Sequence, residues 1–459
     1  MKLSNFLIFV FVLLAIGCTS QAAVEDVQPT AIAVGGDTAV PPTPTLISPT
    51  LMVEVTKTAV SPTAIPTETL QPPTPTSAPP TAAPTLDVTA RTETLKEIMT
   101  ATLQSENDSD APFAGYEGLY AAPLPFSQGP PLWLVHSIGF RSFDPMQNHF
   151  VAVFVYENGS FREIGRVDLE FPDILFDHSV MSEERNGRLW LEVESGVGAH
   201  GGCYNLLRVD QGILIADEAH CHSSPGGVGY LSDLNQDGSP DIVLNNTNDY
   251  VFCYACSIRL PDYTVKSWNG NFWEPIELAF LSSPDPEIIL SNEAVAMANA
   301  GLWQDAERIM NNVTSQDPTV IWNRILINLH AESHREFINY DIYPFLQNIF
   351  YGDYDAALAP MRPFTVEALF SDPQSNPMMV GSPTEGMPDI LADWIIVSTE
   401  NALSVQPDLA AAHFLRGWGT FLIAPSDPGV IEDIERAVSN APDEPLYNEA
   451  LSYLRSISP

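Results

Sequence analysis

The order of apolar and polar positions divides the chain into four stretches. Phe6 to Ile16 (FLIFVFVLLAI) is an unbroken apolar run directly behind Met1-Lys2. From about Gln28 to Thr89 the apolar residues follow no period and proline interrupts them at short intervals. Between residues 112 and 280 apolar and polar positions alternate in short runs, as half-buried strands require. Past residue 281 the alternation stops, and alanine and larger apolar residues recur at helical spacing. The pattern predicts a multidomain chain, β then α, with residues 91–105 (RTETLKEIMTATLQS) forming one short helix at the end of the proline-rich stretch.

Within 112–280 the chain resembles itself. Apolar strands are expected at Trp133-Leu134-Val135, Leu189-Trp190-Leu191 and Ile242-Val243-Leu244. Each is followed by a second strand that turns and restarts, at Asn158-Gly159, Gln211-Gly212 and Asn269-Gly270. Asn-Gly between alternating runs signals a hairpin, because a type I′ turn needs positive φ at both central positions. The glycines lie 53 and 58 residues apart, so the expectation is a repeated antiparallel sheet module. Three modules are fewer than the roughly four to eight blades of a closed propeller, which leaves a propeller-like and a sandwich arrangement both open.

The third module holds Asp233-Leu-Asn235-Gln-Asp237-Gly238-Ser-Pro-Asp241, with side-chain oxygens at positions 1, 3, 5 and 9 and glycine at 6. Such spacing wraps a hard cation in a tight loop, although Leu244 stands where an EF-hand has its bidentate glutamate. The loop resembles the DxNxDGxxD loop of FG-GAP or VCBS-type repeats in extracellular β-propellers. That resemblance implies a structural calcium held by Asp233, Asn235, Asp237 and Asp241. The alternative is an Asx-rich surface turn without metal.

In the helical half, Ala300-Gly301-Leu-Trp303-Gln-Asp-Ala306 and the recurring phrases at Ala402–Pro407 and Ala437–Pro442, 35 residues apart, resemble the tetratricopeptide repeat of about 34 residues. Small residues let paired helices approach and proline ends the second helix of each pair. A looser copy begins at Tyr351, whereas residues 360–390 fit no repeat and are expected to be an insertion. The resemblance implies an array of helix pairs that docks a protein or peptide partner.

Composition adds an address. The run of eleven apolar residues is too short for a bilayer, which needs about 20, and fits the core of a signal peptide. It ends at Leu14-Ala15-Ile16-Gly17-Cys18, which resembles a bacterial lipobox with Ala15 in the place usually taken by leucine. Within residues 1–18, a signal peptide with its lipobox, the resemblance implies cleavage just ahead of Cys18 and diacylation of Cys18 as the mature N-terminus, hence an extracytoplasmic protein anchored to a bacterial membrane by lipid alone. Residues 19–111 then read as a disordered stalk, since thirteen prolines and fifteen threonines fall between 28 and 90 and leave nothing to build a core. The formal charge of -39 removes nucleic acid from the partners, because no surplus of Lys and Arg is present to neutralise phosphates. Residues 281–459 alone carry 25 acidic and 7 basic side chains, a net of -18.

Four cysteines besides Cys18 lie close together: Cys203, Cys221, Cys253 and Cys256. In an exported chain their even number favours two disulfides, with 203–221 and 253–256 preferred among three pairings. Zinc is the alternative, given His200, His220 and His222 nearby. A redox role for Cys253-Tyr-Ala-Cys256 lacks the βαβ setting of thioredoxin-like sites. His330 and His334 share a helix face, but Glu332 does not stand where a zincin places its base, so a solvated or locally paired face is expected there. No nucleophile elbow, P-loop or dinucleotide fingerprint occurs, and no residue is assigned a catalytic role. The sequence therefore reads as a lipid-anchored binding or scaffold protein. The second reading is a receptor for cell-envelope glycan in which Trp133, Trp190, Trp268 or Trp273 stack on sugars, and the third is an exported hydrolase.

Overall fold

Why the β half folds as it does follows from three two-residue turns. Asn158-Gly159, Asn186-Gly187 and Gln211-Gly212 all have positive φ at both positions, the type I′ geometry that twists with the strands it joins. The second of these was not foreseen. At the expected third site Gly270 alone is left-handed, and the Asn269 side chain instead accepts from the N–H groups of Asn271 and Phe272. A four-residue loop therefore replaces the hairpin turn expected there.

The computed structural model describes residues 87–107, 117–140, 148–169, 173–197, 200–222, 228–339 and 343–457. The leader, Cys18 and the stalk up to residue 86 lie outside the described residues. The chain opens with α1 (Val88–Asn107). Strands β1 (Gly118–Leu124), β2 (Leu132–Phe140), β3 (His149–Glu157) and β4 (Ser160–Leu169) form a first antiparallel meander. The short β5 (Ile174–Leu175) follows. A second meander joins β6 (Val180–Arg185), β7 (Arg188–Val197), β8 (Gly201–Asp210) and β9 (Ile213–His222). A third joins β10 (Gly229–Ser232), β11 (Asp241–Asn245), β12 (Tyr263–Trp268) and β13 (Trp273–Ile276). The first two share a register irregularity at the same step, between their third and fourth strands.

Strand alternation dictates how the meanders stack. Leu132, Leu134, Val151, Val153 and Val155 face Leu189, Leu191, Val193, Leu207 and Val209, so the first two meanders share one core. β5 ties them by pairing with the ends of both β2 and β7. The opposite face of the first meander, with Trp133, Val135, Phe150 and Phe154, is covered by Leu95, Met99 and Leu103 of α1. The helix foreseen at 91–105 is thus longer than expected and belongs to the folded body. The opposite face of the second meander, with Trp190, Tyr204 and Leu206, packs on Ile242, Leu244 and Trp268 of the third.

Helices follow: α2 (Pro286–Asn299), α3 (Trp303–Met310), α4 (Pro318–Phe337), α5 (Pro344–Tyr351), α6 (Tyr354–Leu358), α7 (Val366–Leu369), α8 (Pro388–Val405), α9 (Ala410–Ile423), α10 (Pro428–Asn440) and α11 (Pro445–Ile457). An Asp-Pro pair starts three of them. Asp285, Asp317 and Asp427 cap α2, α4 and α10, each accepting a backbone N–H two residues on, while proline fills a first-turn place that needs no donor. The recurrence of 35 residues is written into the junctions. Ala402 and Ala437 are fully buried, and their carbonyls accept the N–H groups of Gln406 and Ala441. Pro407 O then accepts from His413 Nε2 at 2.8 Å, and Pro442 O from Asn448 Nδ2 at 2.7 Å, six residues on in both cases. Among the described residues no helix is long and apolar enough to cross a membrane.

Two glycine turns press against each other in this half. Gly301 ends α2 and Gly352 ends α5, both left-handed. A Cβ on Gly352 would lie 2.7 Å from Gly301 O and from Leu302 Cα. Gly381 is also left-handed (φ 73°) but faces open space. Gly352→Ala is expected to cost about 2–4 kcal/mol, from the left-handed backbone plus the overlap, whereas Gly381→Ala costs about 1–2 kcal/mol, from the backbone alone. Thermal melting of both variants checks this, and equal losses would show that the close approach carries no energy.

Candidate functional site

Asp233, Asn235 and Asp237 lie on the connection from β10 to β11 and Asp241 opens β11, and Gln236 and Gly238 turn left-handed to fold the chain back. Their side chains fasten the loop to itself. Asp233 Oδ2 accepts Gly238 N–H at 3.0 Å, Asn235 Oδ1 accepts Asp237 N–H at 3.0 Å, and Asp237 Oδ1 accepts Ser239 N–H at 2.6 Å. Asp241 is fully buried, and its Oδ2 accepts Leu234 N–H at 2.8 Å. Burial pushes the Asp241 carboxyl above the usual range and the charges of Asp237 and Asp233 push the same way, against hydrogen bonds from Ser267 and Leu234. Asp233 Oδ1 is buried and accepts no hydrogen bond among the described residues. Among those residues no three His, Cys, Asp or Glu side chains are already gathered as a metal site. The loop therefore brings together oxygen donors of the kind a hard cation takes, arranged first as Asx turns.

The cysteines are joined Cys203–Cys221, across neighbouring strands β8 and β9, and Cys253–Cys256, around a single 3₁₀ turn. A zinc site would need their thiolates, which these bonds consume. His222 Nε2 donates to Thr247 O at 2.8 Å, and His200 packs against Tyr254 with tilted rings whose centres are 3.9 Å apart. The histidines thus brace the second meander against the loop that follows β11.

The tryptophans named for sugar stacking are mostly interior. Trp133, Trp190 and Trp268 are buried, and Trp190 packs edge-on against both Trp268 and Trp273. Arg208 lies 4.9 Å over the Trp268 ring while Asp210 and Asp217 hold its guanidinium. These rings bind the second meander to the third. For hydrolysis, the Ser137 hydroxyl meets His149 Nδ1 at 2.8 Å, yet both side chains are fully buried and Ser137 also accepts Phe150 N–H.

His330 and His334 correct the sequence reading, which placed them on a solvated or locally paired face. His330 stacks on Trp303 with ring centres 3.6 Å apart and meets the Tyr263 ring edge-on. His334 stacks on Tyr351 at 4.1 Å, and the Tyr351 hydroxyl donates to Glu307, which also receives Arg335. Glu332 is not part of this set, so the two histidines build no zincin-like centre. Trp303, Glu307 and Tyr351 were missed. Only a pairing of aromatic residues across helices, invisible to helical spacing, marks them.

Burial depresses His330 to about 4, and His334 is lowered by the same cause. A histidine held neutral in the fold and ordinary when unfolded takes up its proton first in the unfolded chain. Its contribution is present above pH 6.5 and is lost as pH falls toward 4, a change of about 3 kcal/mol for His330. Glu192 and Asp241, raised by burial, act in the opposite sense. His330→Phe keeps the stack and is expected to flatten the fall in melting temperature between pH 7 and 4.5. An unchanged slope would mean that His330 is not the group responsible.

Compared with models of protein families the sequence matches none, and none of the curated proteins matches it.

Proposed function

We propose that this protein is a lipid-anchored, extracytoplasmic scaffold. Its helical array docks a protein or peptide partner and its β half is a rigid spacer braced by calcium. The observation that carries the reading is the paired junction at Pro407 and Pro442, where each carbonyl is capped by a side chain six residues on. Helix pairs that repeat their junctions stack into extended surfaces, and such surfaces bind segments of other chains. The tetratricopeptide likeness of Ala402–Pro407 and Ala437–Pro442 points the same way. The lipobox-like Leu14–Cys18 supplies the anchor. With Trp133, Trp190 and Trp268 in the core, the glycan reading keeps only Trp273 of its four stacking residues.

The calcium proposal draws on a specific strain. Asp241 holds a carboxyl in the interior beside two further carboxylates, and a divalent cation drawn between them would reverse that repulsion. Asp233, Asn235, Asp237 and Asp241 would hold it, and it would brace the loop. Calcium is expected to raise the melting temperature of the full-length chain in detergent where equal magnesium does not, and Asp241→Asn is expected to abolish that increment. No increment in the parent protein would remove calcium from the reading.

The scaffold reading is tested by incubating the same full-length protein with envelope extract, before and after protease treatment of the extract. A discrete partner that disappears with protease is the expected result. Retention of protease-resistant carbohydrate would transfer the function to glycan recognition.

A further inference from the structure

We propose that the groove between the segment leading into α7 and the outer face of α11 binds a cationic peptide segment, an Arg- or Lys-bearing stretch of a partner protein. This rests on the scaffold reading and names its site and the partner's chemistry. The groove measures about 700 Å³ and is open to solvent. One wall comes from the region that fits no repeat, with Phe364 and Glu367. The other comes from α11, where Glu449, Ser452, Tyr453 and Ser456 share a helix face.

What the walls offer is set by where their donors already go. Ser452 donates its hydroxyl to Asn448 O, and Ser456 donates to Tyr453 O. Both amide hydrogens of Asn448 are directed to the carbonyls of Pro442 and Glu444. A serine has a single proton to give, so these residues turn only lone pairs toward the groove. Glu367 and Glu449 are exposed, and neither is paired with a cation among the described residues. The cations beside them face elsewhere, Arg362 toward Glu444 and Arg455 toward Glu435. Thr365 and Tyr453 each keep a hydroxyl proton, but the carboxylates and lone pairs of Glu367, Glu449, Ser452 and Ser456 leave acceptors in excess along the groove.

The two exposed carboxylates repel an anionic ligand. Guanidinium and ammonium groups are donors only, and they match it. Phe364, 40% exposed, and the half-buried Tyr453 add ring faces on which a cation and its methylene stem can lie. The open groove suits a chain segment rather than an enclosed small molecule.

The test uses the full-length protein in detergent and a fluorescent dodecapeptide of alternating Arg and Ala, read by anisotropy. Its counterpart with Glu in place of Arg is the ligand control. Glu367→Gln with Glu449→Gln, and separately Phe364→Ala, should each weaken binding about tenfold, as expected for lost charge-assisted hydrogen bonds and ring contacts. Asp389→Asn with Asp393→Asn, an equal charge change on α8, should alter it less than about twofold. Equal losses in both acidic pairs would reduce binding to net charge and overturn the site. So would absence of binding, or equal binding of the Glu peptide. Capture of a protein partner from extract that survives Glu367→Gln with Glu449→Gln would leave the scaffold reading standing and sink this groove alone.

Discussion

A sheet has two faces, and a stack of three meanders that does not close on itself leaves two of them to be covered. The rest of the structure answers that requirement. Leu95, Met99 and Leu103, at helical spacing on α1, close the face of the first meander. On the outer face of the third, Tyr230, Val243 and Val265 stand in register, and Tyr263 reaches α4 through Ser333. Stacking His330 on Trp303 turns a potentially charged ring into part of that cover. Each large apolar side chain so buried contributes about 1.5–3 kcal/mol, which explains why the helical half abuts the β half instead of hanging from a linker.

The connection between β11 and β12 carries this attachment. Val251, Cys256 and Ile258 enter the helical core, and Gln347 donates to Arg259 O at 2.8 Å. Arg259 pairs with Asp249 at 2.9 Å and lies over the Phe337 ring. The Cys253–Cys256 bond shortens the loop that presents these residues. The four cysteines are thus close in sequence for two different reasons, one pair joining strands of a single sheet and the other shaping a docking loop.

Much of the fold was legible because it rests on local rules. Positive φ at Asn158-Gly159 and Gln211-Gly212 follows from turn chemistry, and β-then-α order follows from a change of period. What was hidden depends on contacts between distant segments. Asn269-Gly270 carries the same dipeptide signal, but the four residues separating β12 from β13 require another turn. His330 and His334 looked like one helix face, and only the approach of α3 and α5 gave them Trp303 and Tyr351. The acidic loop was legible as a spacing, while the burial of Asp241, at the first position of β11 on the face opposite Ile242 and Leu244, was not.

Charge finally explains why the surface accepts more than it donates. Among the seven basic residues of 281–459, Arg308, Arg335, Arg362, Arg416 and Arg455 are paired with Asp305, Glu307, Glu444, Asp433 and Glu435. Arg324 is spent on Val313 O. Three of these pairs, Arg335–Glu307, Arg416–Asp433 and Arg455–Glu435, join neighbouring helices, and most of the 25 carboxylates of this half face solvent. A surface assembled this way repels acidic chains and steers basic ones at long range, with the effect screened by salt. Steering alone is unspecific. Selectivity needs a place where excess acceptors meet exposed rings and fixed hydroxyl orientations, and the face of α11 opposite Phe364 combines the three.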